Sequence, residues 1–239
     1  MRTGYYGGVD LTYVILVLPA LLFTLWAQLH VKSTFKKYAK VASERNMSGA
    51  DAARMVLNAN GLGTVPIERV TGELTDHYDP KANVIRLSNS TYDARTAAAV
   101  GVAAHEAGHA AQYAAGYLPI RIRASIIPAT NIGAKLSIPL LMAGLVLSGF
   151  SQVFLYLAYA GVLLYTLCAV FQIVTLPTEF DASRRALSSI ERMGLLADGE
   201  ELQGARKVLR AAALTYVAAL ATTLVQLLRF LILINDRKR

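Results

Sequence analysis

The chain is poor in most of what marks a soluble or secreted protein. It has a single cysteine, Cys168, so no intrachain disulfide forms and no redox compartment follows from pairing. Charged residues make up only 17% of its 239 positions, and acidic groups are outnumbered by basic ones, 16 against 24. A surplus of +8 raises nucleic acid as a partner. No basic stripe interleaved with aromatics lies outside the apolar runs, however, and anionic lipid headgroups account for the surplus better. The scarcity of charge is matched by 54% hydrophobic content and a mean hydropathy of +0.40, above what a water-soluble globule carries. The composition is that of a membrane protein.

Four apolar runs carry that hydropathy. The first, residues 9–29, is long enough for a bilayer core of about 30 Å, with Trp26 near one end as an interfacial anchor. It reads as a retained anchor and not a signal peptide: only Arg2 precedes it, no small-residue cleavage site closes it, and basic residues follow. Residues 132–174 hold two more runs, separated by a short turn at residues 148–151, which together predict a transmembrane hairpin. The fourth, residues 211–234, carries Arg229 near its end, where a long side chain reaches the interface. Lys32, Lys36, Lys37, Lys40 and Arg45 follow the first run and place the intervening polar regions in the cytoplasm. The tail of Arg237, Lys238 and Arg239 argues the other way.

Residues 31–125 supply the first polar region and read as a compact α+β unit. Ser48 and Asp51 form the pattern of a capping box for a helix running to Asn58, with Gly61 and Gly63 as its stop. Residues 65–70 and 83–88 are strand candidates, joined by the turn-rich stretch Thr75-Asp76-His77-Tyr78-Asp79-Pro80. A second polar, helix-patterned region, residues 175–210, follows the hairpin. Because two spans separate the two polar regions, both face the same side of the membrane.

The chemistry lies in His105-Glu106-Ala107-Gly108-His109. The chain has only four histidines, and two stand four apart in an alanine-rich, proline-free stretch from Asp93 to Tyr113 that predicts a helix stopped by Gly116. On a helix, residues four apart share a face, so both imidazoles reach one zinc ion. Two imidazoles and a carboxylate buried without partners are costly, and metal coordination removes the cost. In the metalloprotease pattern the carboxylate between them, Glu106, takes a proton from the water that zinc activates.

A catalytic zinc usually takes three protein ligands and keeps one open position. Ala115 stands where the longer three-histidine pattern has its last ligand, which removes that pattern. Glu179, just after Pro177 at the end of the hairpin, is the strongest candidate for the third donor, with Asp181 and His77 as alternatives. Tyr78 and Tyr92 are weaker candidates to donate to an oxyanion, and the strand at residues 83–88 is a candidate edge for an extended substrate.

Taken together, Leu74 to Pro80, Val84 to Ser88, Ala103 to Ala110 and Leu176 to Ser183 resemble the bacterial membrane-bound neutral zinc metallopeptidases of the YugP type, related to the HtpX-like proteases. The resemblance spans nearly the whole chain. It implies a mainly α membrane protein with about four transmembrane helices and a small α+β zincin-like metallopeptidase domain at the membrane surface. It implies a gluzincin-type site, with zinc held by His105, His109 and Glu179 and with Glu106 as base. Related glutamate zincins often place Asp four residues after the ligand Glu to hold a ligand imidazole. Here that position is Ser183, so Ser183, Asp181 and His77 are the candidates for supporting or oxyanion roles.

The expected activity is zinc endopeptidase cleavage of membrane-associated or unfolded polypeptides at the cytoplasmic face of the inner (plasma) membrane. The expected partners are a polypeptide substrate and the lipid bilayer, with a membrane-protein partner or a second copy of the chain as further candidates. The competing reading is a membrane adaptor that keeps zinc for folding and binds partners without cutting them. Such a site is closed by four protein ligands and needs no carboxylate base.

Overall fold

The computed structural model of the chain describes residues 5–6 and 9–238; Arg2 and Arg239, two of the charges weighed above, lie outside the described residues. In chain order come two short antiparallel strands, β1 (Tyr5–Tyr6) and β2 (Val9–Asp10), a π-helical turn (Tyr13–Val17), α1 (Leu18–Tyr38) and α2 (Gly49–Ala59). The strands β3 (Ile67–Val70), β4 (His77–Asp79) and β5 (Val84–Ser88) follow. Next are α3 (Ala97–Ala114), α4 (Leu118–Leu147), a 3₁₀ turn (Gln152–Phe154), α5 (Leu155–Met193) and α6 (Glu200–Lys238). The elements sort into two compact units, one of residues 1–26, 122–176 and 215–239, the other of residues 27–121 and 177–214.

The first unit is built for lipid. Among the described residues four helices are long and apolar enough to cross a bilayer, Tyr13–Tyr38, Leu118–Leu147, Gln152–Met193 and Glu200–Arg237, the number read from the sequence. Outward-facing Leu22, Val146 and Leu163 are 57%, 62% and 70% exposed, a surface that water penalises and hydrocarbon does not. Inside, α4 and α5 approach at glycine: a Cβ at Gly144 would stand 2.3 Å from the Ala158 nitrogen. Such close backbone contact is how helices associate in lipid, where burying apolar surface gives no advantage over leaving it to the acyl chains. The Thr24 and Thr222 hydroxyls, 2.9 Å apart, join the ends of α1 and α6 that belong to this unit.

The second unit is a small α+β domain. The Ser48 hydroxyl accepts from the Asp51 N–H and the Asp51 carboxylate accepts from the Ser48 N–H, so the expected capping box opens α2. Three strands form the sheet in the order β3-β5-β4, with β3 parallel and β4 antiparallel to β5. This corrects two expectations. His77 to Asp79 form a strand and not a turn, because Asp79 and Asp76 take the turn chemistry at either end: Asp79 accepts from the Lys81 and Ala82 N–H groups, and Asp76 from the Ser88 N–H and hydroxyl. And β5, flanked on both sides, has no free edge for a substrate. Arg86 on β5 links Asp79 on β4 to Glu68 on β3. The Arg86 guanidinium, helped by the Ala82 and Lys81 N–H groups, holds the Asp79 carboxyl down at about 2.

Helix α3 runs through the core of this unit. Its alanines at 97, 98, 99, 103, 104 and 107 are fully buried; Ala97, Ala103, Ala104 and Ala107 pack among Val56, Leu57, Ile85, Leu87, Ile190 and Leu195, and Ala98 against Phe35, Tyr38 and Val208. The Thr96 hydroxyl accepts from the Ala99 N–H to start it, and Gly116 stops it at φ +65° as expected. Pro177 neither ends a helix nor begins one. It lies inside α5, which continues to Met193. Proline removes one backbone donor, and the rest of a 39-residue helix with apolar contacts along its length carries it through.

Candidate metal centre

Two helices bring three donors together. His105 and His109 lie one turn apart on α3, with ring centroids 4.7 Å apart at an interplanar angle of 81°. Glu179 lies on α5, and its Oε2 is 3.3 Å from His105 Nε2 and 3.4 Å from His109 Nε2. One ligand atom from each residue falls within 4.8 Å of the others, a group able to hold one metal ion. The approach of α3 to α5 depends on Gly108, where a Cβ would stand 2.8 Å from the Ala182 carbonyl oxygen. Glu179 and His109 are 2% and 7% exposed.

The donor set fits zinc, since two imidazoles and a carboxylate leave one of four positions open. The electrostatics agree. Burial disfavours charge on His109, but the hydrogen bond and charge of Glu179, with the charge of Glu106 and the contact to Gln112, outweigh it and raise its pKa above the ordinary histidine value.

Both imidazoles are held from behind. In the tautomer that leaves each Nε2 to a metal, each Nδ1 carries the proton and donates it: His105 to the Ser183 hydroxyl at 3.2 Å, His109 to the Gln112 side-chain oxygen at 3.0 Å. Gln112 is fully buried, and its amide donates in turn to Asp181 at 2.9 Å and to the Thr178 carbonyl at 2.8 Å. Arg185, at 2.6 Å, and Arg184 complete the ring around Asp181. Such supporting bonds fix the tautomer and the ring direction of a metal ligand.

Glu106, 7% exposed, points into the same region, and its Oε2 accepts from the Tyr78 N–H of β4 at 2.9 Å. That N–H is therefore turned away from β5 and toward α3. Of the other candidates, Asp181 is engaged by Gln112 and the two arginines and stands outside the three-donor group. His77 is exposed, its Nδ1 bonded to the Thr75 carbonyl at 2.8 Å, and it too stands outside the group. The Tyr78 hydroxyl donates to Asn83, and the Tyr92 ring lies under the Arg69 guanidinium. Gln112 was not singled out from the sequence, although a lone amide three residues after His109 on an alanine helix is the signal that would have found it.

A model of the family described as "Putative neutral zinc metallopeptidase" matches residues 13–235. The chain belongs to that family, and zinc is its metal. It is also 42% identical over 226 residues, 94% of this chain and 98% of the relative, to "Putative membrane protease YugP" of Bacillus subtilis (strain 168). No solved structure matches it.

Proposed function

We propose that this protein is a membrane-embedded zinc endopeptidase that cuts membrane-associated or unfolded polypeptides at the cytoplasmic face of the plasma membrane. His105, His109 and Glu179 hold the metal. Zinc bound there would supply Lewis acidity, making water more acidic and a carbonyl more electrophilic. Glu106 is the general base: it accepts the proton of the attacking water and delivers it to the departing amine nitrogen. The Tyr78 N–H holds one Glu106 oxygen and so aims the other. Ser183 and the Gln112–Asp181 pair keep both imidazoles in the tautomer that leaves Nε2 free.

The observation that carries this reading is the carboxylate of Glu106, a non-ligand held by a strand N–H beside three convergent donors. A zinc site kept only for folding needs a fourth protein donor, and the group among the described residues has three. The sheet edge nearest Glu106 is the outer side of β4, so an extended polypeptide is placed along β4 in place of the β5 edge expected from the sequence. The cytoplasmic orientation rests on the lysines after the first span, and the acceptance of membrane-associated polypeptides on the site sharing a chain with four candidate spans.

The test is Glu106→Gln in the full chain, assayed for zinc content and for cleavage of an unfolded reporter. The expected result is zinc retained and cleavage lost. Cleavage at the wild-type rate by that variant would remove Glu106 from the mechanism.

A further inference from the structure

A second polar feature lies beyond Asp181. On α5, Asp181, Arg185, Ser188 and Arg192 recur at spacings of three and four, with Arg184 and Ser189 beside them, so they share one helix face. This face and Asn60 at the end of α2 line a cleft of about 350 Å³, with Gly108 and Ala111 of α3 at its wall. Three guanidinium groups and two hydroxyls meet there against the one carboxylate of Asp181.

The guanidiniums are not equivalent. Arg184 and Arg185 are held by Asp181, and Arg185 also lies 5.8 Å from the Tyr117 ring centroid. Arg185, half-buried between Asp181 and Tyr117, is thus held before any ligand arrives, which lowers the ordering cost of binding, while Arg184 is paired but largely exposed. Arg192 is exposed and makes no ion pair among the described residues. Ser189 is buried at the cleft wall. Planar, permanently charged forks with hydroxyls between them match the several acceptor oxygens of a phosphate group.

We propose that this cleft binds a phosphate group, either free or carried on an anionic lipid. Arg192 supplies the uncommitted charge, Arg185 supplies pre-placed N–H donors on its free side with Arg184 beside it, and Ser188 and Ser189 supply hydroxyls. Binding is a property of this cleft and requires no peptide hydrolysis.

The full chain, purified in a phosphate-free sugar detergent, is titrated with inorganic phosphate and, separately, with a short-chain phosphatidylglycerol, and binding is followed by phosphorus NMR. Arg192→Gln is expected to weaken binding about tenfold or more, the loss of one charge-assisted contact, whereas Arg69→Gln on the sheet leaves it unchanged. Arg192→Lys, which keeps the charge and loses the fork, is expected to fall between the two. Tighter binding of the phosphatidylglycerol assigns the cleft to a lipid headgroup, and tighter binding of inorganic phosphate assigns it to a free anion. If neither binds at millimolar concentration, or binding survives Arg192→Gln undiminished, the proposal is overturned. A chain that binds phosphate but cuts no peptide would refute the peptidase reading and leave the cleft intact.

Discussion

Replacing Gln112 with leucine isolates the tether behind His109, because the side chain is fully buried and touches the metal centre only through hydrogen bonds. Leucine fills a similar volume, so the packing term is small. The loss falls on His109 Nδ1, which no longer has its acceptor at 3.0 Å, and on Asp181, which loses the amide donor at 2.9 Å. Removing such a support typically lowers metal affinity by about 10- to 100-fold, which corresponds to about 1.4–2.7 kcal/mol. The metal-free protein is also destabilised, by about 1–3 kcal/mol for a buried donor left unpaired. Zinc affinity is read by competition with a chromophoric chelator, and metal-free stability by thermal unfolding in the same detergent. Gln112→Glu restores an acceptor for His109 but places a second carboxylate beside Asp181, so it is expected to keep zinc while unfolding at a lower temperature. A leucine variant that binds zinc within about twofold of the wild type would show that the relay is packing and not metal support.

Ser183→Ala removes the acceptor for His105 Nδ1; about tenfold weaker zinc binding is expected, and Ser183→Asp should restore it, since a carboxylate is the stronger acceptor. The Asp79–Arg86 pair on the sheet gives a pH signature. Its folded-state pKa of about 2 lies below the ordinary 3.8, so its contribution is fully present above 3.8 and is lost as pH falls through about 2. In metal-free protein, Asp79→Asn should therefore lose less stability than the wild type between those two pH values. Equal slopes in thermal unfolding would remove the pair from the account.

Much of the site was legible because its chemistry is local. His105 and His109 share a face by helical periodicity alone, the Ser48–Asp51 box follows from side-chain reach, and Gly116 follows from the left-handed stop it provides. The supports were legible in part: Ser183 and Asp181 stood among the candidates, but Gln112 and the pairing of each support with its imidazole depend on which helices meet. Ser183 reaches His105, and Gln112 reaches Asp181, only because Gly108 lets α3 and α5 come into backbone contact. The strand at His77–Asp79 was hidden for a related reason. Its residues read as a turn in isolation, and pairing with β5 together with the Glu106 carboxylate accepting from Tyr78 gives them their extended form. From the sequence alone Pro177 allows a kink or a new helix start, yet one missing donor in a helix of 39 residues is outweighed by its contacts.

The most direct measurement is the zinc content of the purified full chain, compared with that of Glu179→Ala, by elemental analysis after exhaustive dialysis. The account predicts a single zinc in the wild type and its loss from the variant, because a carboxylate reaching across from α5 completes the two-imidazole site. Zinc retained in full after Glu179→Ala would contradict it.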